Sequence, residues 1–304
     1  MTDTATDESA RGGHMEAELA SQPDCWQRVS ELDGLAAALR RPGERVAVVG
    51  CGTSWFVAQT IAALREGAGL GPTDAYSASE ATLTERGYDA VVVISRSGTT
   101  TEIVTLLSTV PSGVRSVAIV ADDRSPVARL ADEVVALPFA DERSVVQTRF
   151  ATTAIALGRV AAGEDLTNAI ADARRVLSLP LPAILTDAEQ LTCLGSGWTV
   201  GIAHEAALKM REASQSWTES YPGMEYRHGP MSIAAPGRTV WVFGDGPRGL
   251  AEEVAGTGAS YFAGDADPLA ELVRAHRVSL ARARSGGLDA DAPRNLTRSV
   301  ILSS

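Results

Sequence analysis

The sequence contains a single lysine, Lys209, among 27 basic residues, and its 38 acidic residues give a formal net charge of −11. A protein that binds nucleic acid normally presents a basic surface, so this balance argues against that class. Aromatic residues are only 5% of the chain, but hydrophobic residues make up 45% and charged residues 21%. This composition excludes wholesale disorder, and 304 residues allow about two compact domains of ~150 residues each.

No apolar run approaches the ~20 residues that a membrane-spanning helix requires. Residues 1–14 are small, polar and acidic, unlike a secretory signal, and predict a disordered tail. The cysteines (Cys25, Cys51 and Cys193) are odd in number and lack the spacing of metal ligands. We therefore expect a reduced, cytoplasmic protein with no cofactor and no metal.

Short β-branched runs alternate with helical patterns through the first half of the chain. Four runs are almost continuously apolar, as expected of strands buried on both faces of a parallel sheet. They cover residues 45–49, 90–94, 116–120 and 133–137. Helical patterns cover residues 15–44, 55–66, 100–109, 126–131, 152–162 and 165–179. This alternation predicts a doubly wound, three-layer α/β domain over residues 15–179.

A Leu-Pro-Leu-Pro stretch at residues 179–182 predicts a linker, after which the same pattern begins again. Strands are predicted at residues 190–194 and 239–243, and helices at 199–216 and 267–285. A glycine-rich turn follows the first strand of each unit, at residues 50–54 and 195–197. We expect a second copy of the same α/β domain in residues 183–304, shortened because few residues follow its last predicted strand.

The first glycine-rich turn, residues 50–55 (Gly-Cys-Gly-Thr-Ser-Trp), resembles a dinucleotide-binding fingerprint only superficially. That fingerprint needs a small third residue for close packing of the helix, and Trp55 occupies the position. A turn into a helix with hydroxyls at its start suits an anion. The alternative is that Thr53 or Ser54 simply caps the helix.

The second turn, residues 95–102 (Ser-Arg-Ser-Gly-Thr-Thr-Thr-Glu), places five hydroxyls and Arg96 between a strand and a helix. Capping needs one or two hydroxyls, whereas a phosphate monoester needs several converging donors. The two turns follow adjacent strands, so their side chains meet at one edge of the sheet. We predict a phosphate site made of Ser54, Ser95, Ser97 and Thr100.

The predicted helix at residues 199–216 contains Glu205, Lys209 and Glu212, which share one face. Its other residues are largely small or apolar, so these charges must be paired or must serve a site. The alternative is a solvated Glu–Lys pair, but the only lysine in an arginine-rich chain favours a specific role. His228 precedes Gly-Pro on an irregular segment and is a proton-transfer candidate, although a lone histidine is often inert.

Together these motifs resemble the isomerase half of glucosamine-6-phosphate synthase, which is built from two sugar-isomerase (SIS) domains. Five motifs match in order, across about residues 15–304. They are residues 50–54, 95–100, 205–212, 227–230 and 291–296. The set is specific for the superfamily but not for one reaction.

The resemblance implies that Ser54, Ser95, Ser97 and Thr100 hold a sugar phosphate, with Thr53 and Arg96 beside them. It also implies that Glu212 moves a proton between C1 and C2, and that Glu205 and Lys209 shape the substrate site. His228 would assist opening of the sugar ring in the neighbouring subunit, which makes a homodimer the expected unit.

The sequence departs from the synthase in four respects. No glutaminase domain with an N-terminal nucleophilic cysteine precedes the motifs, which argues against a glutamine amidotransferase. Arg96 replaces a glutamine, as in related deaminases and deglycases, and residues 142–149 match only partly. Arg298 stands where the synthase has the lysine that forms a Schiff base. A guanidinium stays protonated and cannot form one.

The leading hypothesis is an enzyme that isomerises a phosphorylated sugar or amino sugar, with release of ammonia. The alternative is a non-catalytic sugar-phosphate sensor. Arg298 and the short second unit favour this hypothesis, whereas the intact acid–base residues argue against it. The hypothesis of a nucleotide-binding oxidoreductase rests on the glycine-rich turn alone, and Trp55 argues against it. No helix-turn-helix pattern is evident, which argues against a self-contained transcription factor.

Overall fold

The computed structural model describes residues 11–32, 34–84 and 86–302, in which helices and strands alternate along the chain. The strands are β1 (Val46–Gly50), β2 (Thr73–Ser77), β3 (Ala90–Ser95), β4 (Arg115–Val120), β5 (Glu133–Ala136), β6 (Gln190–Gly195), β7 (Trp217–Pro222), β8 (Arg238–Phe243) and β9 (Ser260–Ala263). The helices are α1 (Gly13–Ala20), α2 (Gln22–Glu31), α3 (Thr53–Gly67), α4 (Thr101–Leu107), α5 (Pro126–Leu130), α6 (Arg149–Ala161), α7 (Thr167–Ser178), α8 (Ala183–Thr186), α9 (Thr199–Ser214), α10 (Leu250–Gly256) and α11 (Pro268–Ser285).

Two parallel sheets organise these elements. The first has the strand order β2-β1-β3-β4-β5, and the second has the order β7-β6-β8-β9. Every strand pair is parallel, and β1, β3 and β6 are buried along their whole length. The predicted α/β class with two parallel sheets is therefore confirmed. The second sheet has one described strand fewer than the first.

The predicted strands lie within one residue of the observed ones, but β2, β7 and β9 were not predicted. All three are edge strands whose residues are mostly half-exposed, so they lack a continuous apolar run. The helix predicted over residues 15–44 is also too long. It is divided into α1 and α2, and beyond Leu32 the described chain is irregular apart from a short 3₁₀ turn (Ala37–Leu39).

The glycine-rich turns of the two units are built in the same way. A Cβ on Gly50 would lie 2.3 Å from the backbone of Ser54, and one on Gly195 would lie 2.1 Å from the carbonyl oxygen of Thr199. Only glycine therefore allows the first turn of α3 or α9 to approach the end of the preceding strand this closely. This shared geometry supports the interpretation of the chain as a repeated unit.

The two units share a continuous apolar core. Helix α3 of the first packs on α9 of the second, and α7 packs on α11. One cluster of buried side chains includes Val48 from the first sheet and Leu191 and Trp241 from the second. Because α9 is enclosed by this packing, any charged side chain on it must find a partner within the protein.

Residues 286–302 contain no helix or strand and return to the first unit. The carboxylate of Asp291 accepts the backbone N–H groups of His14 and Met15 at the start of α1, and its carbonyl oxygen accepts the N–H of Val145. Of the predicted tail, residues 1–10 lie outside the described residues. Residues 11–14 are ordered against this C-terminal segment, so the folded chain begins before residue 15.

Candidate active site

A cavity of about 190 Å³ lies where the turns after β1 and β3 face helix α9. Five segments of the chain contribute its walls. The lining residues are Cys51, Gly52, Thr53, Arg96, Thr100, Val145, Gln147, Lys209, Glu212 and residues 296–300. Both predicted groups, the hydroxyl-rich turn and the charged face of α9, are thus represented in one cavity.

Four hydroxyls cluster at one wall of this cavity; Thr100 and Ser299 line it, whereas Ser97 and Thr99 line a larger neighbouring cavity. Ser299 Oγ lies 3.2 Å from Ser97 Oγ, 2.9 Å from Thr99 Oγ1 and 3.4 Å from Thr100 Oγ1. The backbone N–H of Thr99 donates to Ser97 Oγ at 3.2 Å. Ser299 was not predicted as a site residue, because it lies in an irregular segment about 200 positions away from its partners.

The remaining predicted phosphate ligands differ in how they reach the cavity. Thr53, at the start of α3, lines it directly. Ser54 and Ser95 are buried and are not among its lining residues. The Ser95 hydroxyl oxygen accepts the N–H of Gly98 at 3.1 Å, so it also shapes the turn.

Arg96 is buried, and its guanidinium is committed to the protein backbone. It donates to the carbonyl oxygens of Ser144 at 3.0 Å and Arg298 at 2.9 Å, and more weakly to that of Val145 at 3.4 Å. Burial lowers the pKa of Arg96, and nearby Glu142 partly opposes this. Arg96 therefore ties two walls of the cavity together, a role that the sequence did not indicate.

Lys209 and Glu212 line the same cavity and form an ion pair. The Lys209 side chain is fully buried and Glu212 is 17% exposed. Both side chains face the cavity because they lie three residues apart on α9. A buried ammonium beside a single accessible carboxylate is a constellation that can exchange a proton with a bound molecule.

Glu205 lies one turn deeper on α9 and does not line the cavity. It is completely buried, and its Oε2 lies 3.1 Å from Nε2 of His276 on α11. The other ring nitrogen of His276 lies 3.3 Å from Nε2 of Gln22. Neither His276 nor Gln22 was predicted, since no local motif marks a residue whose partner is distant in the chain.

His228 lies in an exposed 3₁₀ turn (Glu225–His228) and is not among the residues that line this cavity. The single chain therefore does not bring it together with Glu212.

Arg298, at the position of the family's lysine, forms an ion pair with Asp141 and donates to the carbonyl oxygen of Glu142. Its guanidinium is thus bound to the loop that follows β5. The segment around it separates the 190 Å³ cavity from a larger, open cavity of about 690 Å³, which Arg124 and Asp122 line on its far side.

Within the described ranges, no group of three or more His, Cys, Asp or Glu side chains is arranged to hold a metal ion. Nor does any helix in this part of the chain combine the length and apolar character needed to cross a bilayer.

Comparison with known proteins agrees with this geometry. Residues 39–162 match the family model described as the SIS domain. The chain contains a SIS domain. The similarity to curated relatives extends beyond that domain, and these relatives include proteins named glutamine–fructose-6-phosphate aminotransferase [isomerizing].

The relative from Caulobacter vibrioides is 27% identical over 255 residues, which are 72% of this chain and 42% of the relative. The relative from Sulfurisphaera tokodaii is 25% identical over 297 residues, 85% of this chain and 50% of the relative. The SIS-domain chain is therefore homologous to the isomerase domain of these proteins, and it spans about half of their length.

Solved structures show the same fold. Glucosamine-6-phosphate deaminase from Thermotoga maritima has a TM-score of 0.77 at 24% identity, covering 94% of this chain and 99% of that one. The C-terminal domain of glucosamine-fructose-6-phosphate aminotransferase from Francisella tularensis gives 0.78 at 21%, covering 94% and 100%. Tagatose-6-phosphate ketose/aldose isomerase from Escherichia coli gives 0.78 at 20%, covering 96% and 97%. The fold of these structures thus extends over nearly the whole chain.

Proposed function

We propose that this chain binds a phosphorylated amino sugar and converts the aldose into a ketose with release of ammonia, as a cytoplasmic homodimer. The main observation in support is one cavity lined by Thr100 and Ser299, which belong to the cluster of hydroxyls, and by the Lys209–Glu212 pair. The resemblance to a glucosamine-6-phosphate deaminase and to aldose–ketose isomerases agrees with this reaction class.

In the proposed complex, the hydroxyls of Ser97, Thr99, Thr100 and Ser299 donate to the phosphate oxygens, and the N-terminus of α3 faces the same anion. Ser54 and Ser95 are buried, and Ser95 supports the turn after β3 by accepting the N–H of Gly98. Binding of the phosphate at this end places the sugar carbons toward α9. The sugar phosphate then lies within reach of one carboxylate, that of Glu212.

The proposed chemistry needs one base that takes and returns a proton. Glu212 removes the proton from C2 of the open-chain amino sugar. The released electron pair forms the C1–C2 double bond while the carbonyl pair moves to O1, which takes a proton from water, and the product is an enol-enamine. Glu212 then returns a proton to C1, which leaves an imine at C2. Water adds to this imine, and ammonia leaves to give the ketose phosphate.

The protein's own groups supply the rest of the proposed mechanism. Lys209 holds Glu212 in the cavity, and His228 of a partner subunit assists opening of the ring. Catalysis through an imine on the protein is not part of the proposal, because Arg298 is a guanidinium and Lys209, the only lysine, is buried against Glu212.

The direct test is to incubate the purified protein with glucosamine 6-phosphate and to measure ammonia and fructose 6-phosphate. We expect turnover, and we expect Glu212→Gln to reduce kcat by about 10²- to 10⁴-fold, the range for loss of a general acid–base. Glu252→Gln, at an exposed carboxylate on α10, is the matched control. Turnover on a different sugar phosphate would change the substrate but keep the reaction class. Undiminished turnover by Glu212→Gln would refute the assigned base.

A sugar-phosphate sensor is the second candidate, favoured by the arginine at position 298 and its ion pair to Asp141. For a sensor, fructose 6-phosphate would raise the melting temperature of wild type and of Glu212→Gln alike, because a ligand stabilises the state that it binds. Neither protein would turn over any sugar phosphate tested.

A further inference from the structure

A buried chain of hydrogen bonds leads from α2 to the charged face of α9. It consists of Trp26, Thr152, Gln22, His276 and Glu205, and each of these residues is 0% exposed. None of them lines the 190 Å³ cavity. Buried polar groups are costly unless they are paired, so five in a row on four helices require an explanation.

The donor-to-acceptor direction along this chain of hydrogen bonds is set at the Trp26 end. The indole N–H of Trp26 can only donate, and it donates to Thr152 Oγ1 at 3.1 Å. The Thr152 hydroxyl has two acceptors within reach, Oε1 of Gln22 at 2.8 Å and the carbonyl oxygen of Arg149 at 3.3 Å. The shorter bond, to Oε1, turns the amide NH₂ of Gln22 toward Nδ1 of His276. Nδ1 is therefore the acceptor of the imidazole, and Nε2 bears the proton. His276 in turn donates this proton to Oε2 of Glu205 at 3.1 Å.

The second oxygen of that carboxylate, Oε1, is buried and has no hydrogen-bond partner among the described residues. Glu205 shares its helix face with Lys209, one turn further along α9, but it lies beyond the 4.0 Å of a direct ion pair, which Lys209 forms with Glu212. The buried charges on α11, Glu271 and Arg274, satisfy each other through two hydrogen bonds. Glu205 is thus held as an acceptor on the face that carries the buried ammonium.

We propose that His276 is a positioning residue, which holds the Glu205 carboxylate in place as the second counter-charge of Lys209. The inference rests on the proposed function. When Glu212 takes the substrate proton it becomes neutral, and the fully buried Lys209 would then have no anionic partner. A fixed Glu205 compensates the ammonium during that step, which lowers the cost of the intermediate.

Two variants of one residue test this role. Glutamine places its amide nitrogen where Nε2 of histidine lies and keeps the donor to Glu205, whereas asparagine reaches only as far as Nδ1. His276→Asn should lower kcat for glucosamine 6-phosphate by about 10- to 100-fold, the range for outer partners that orient a functional ligand, with little change in KM. His276→Gln should restore most of that loss.

On a Glu205→Gln background, His276→Asn should have no further effect on kcat. Equal losses in kcat for His276→Asn and His276→Gln, accompanied by equal losses in melting temperature, would show that His276 is merely structural. That result would overturn the proposal, as would an unchanged kcat in His276→Asn.

Two measurements separate this inference from the reaction itself. NMR of protein with ¹⁵N-labelled histidines, of which there are four, should show His276 with its proton on Nε2. A double-mutant cycle on unfolding should show coupling between His276→Asn and Glu205→Gln. If wild type does not turn over glucosamine 6-phosphate while both results hold, the proposed function fails but the positioning contact stands. A proton on Nδ1, or absence of coupling, would refute the contact.

Discussion

Replacing Arg96 by methionine tests whether this residue holds two walls of the cavity together or binds the phosphate directly. The substitution removes two good hydrogen bonds from a buried cation, to the carbonyl oxygens of Ser144 and Arg298. Hydrogen bonds to charged groups contribute about 1.5–3 kcal/mol each, or ~3–6 kcal/mol together. Part of this gain is offset because burial disfavours the charged guanidinium, as its lowered pKa shows. We therefore expect Arg96→Met to lower the free energy of unfolding by about 2–4 kcal/mol.

The assay is urea-induced unfolding followed by circular dichroism. Arg124→Met is the matched control, since this arginine side chain is 89% exposed and lines the neighbouring open cavity. The control should leave the urea midpoint of unfolding unchanged, whereas Arg96→Met should lower it. Arg96→Met should also weaken binding of fructose 6-phosphate, because the hydrogen bonds that connect two walls of the site are lost. An unchanged midpoint together with a loss of sugar-phosphate binding would refute the reasoning and indicate a direct phosphate contact.

Two further predictions follow from close packing and from burial. Gly195→Ala should lower the free energy of unfolding by more than the ~1–3 kcal/mol of ordinary overpacking, because its Cβ would lie 2.1 Å from a backbone oxygen. Gly256→Ala, whose Cβ meets nothing within 4 Å, should not destabilise, and urea-induced unfolding of both variants checks the difference. Burial, with a smaller effect of Glu102, raises the pKa of Cys51 to about 11, so only about a thousandth of this thiol is ionised at pH 8. A disulfide reagent should modify the three cysteines slowly in the folded protein at pH 8 and rapidly in denaturant. The reactivity of Cys51 should rise as the pH approaches 11. Rapid modification of Cys51 in the folded protein at pH 8 would contradict this prediction.

The sequence predicted the central strands well because they are apolar on both faces and therefore differ from every neighbouring segment. β3, for example, begins at the predicted residue and extends one residue beyond the predicted end. Edge strands such as β7 bury only part of their surface, and their mixed composition does not distinguish them from loops.

For the site, residues close together in sequence were the predictable ones. The turn after β3 and the face of α9 are local patterns, and both contribute to the 190 Å³ cavity. Ser299 and His276 escaped prediction because their partners lie far away in the chain and depend on how α11 and the C-terminal segment pack. The roles of Glu205, Glu212 and His228 in catalysis stay predictions.

The walls of the cavity come from opposite ends of the sequence, the turn at residues 51–53 and the segment 296–300. Residues 51–53 leave the ribosome before residues 296–300, and during synthesis the N-terminal part of a chain folds first. Both sheets can thus be complete while one side of the pocket has yet to be synthesised. Nascent chains should acquire affinity for the proposed sugar phosphate only after residues 296–300 have emerged from the ribosome.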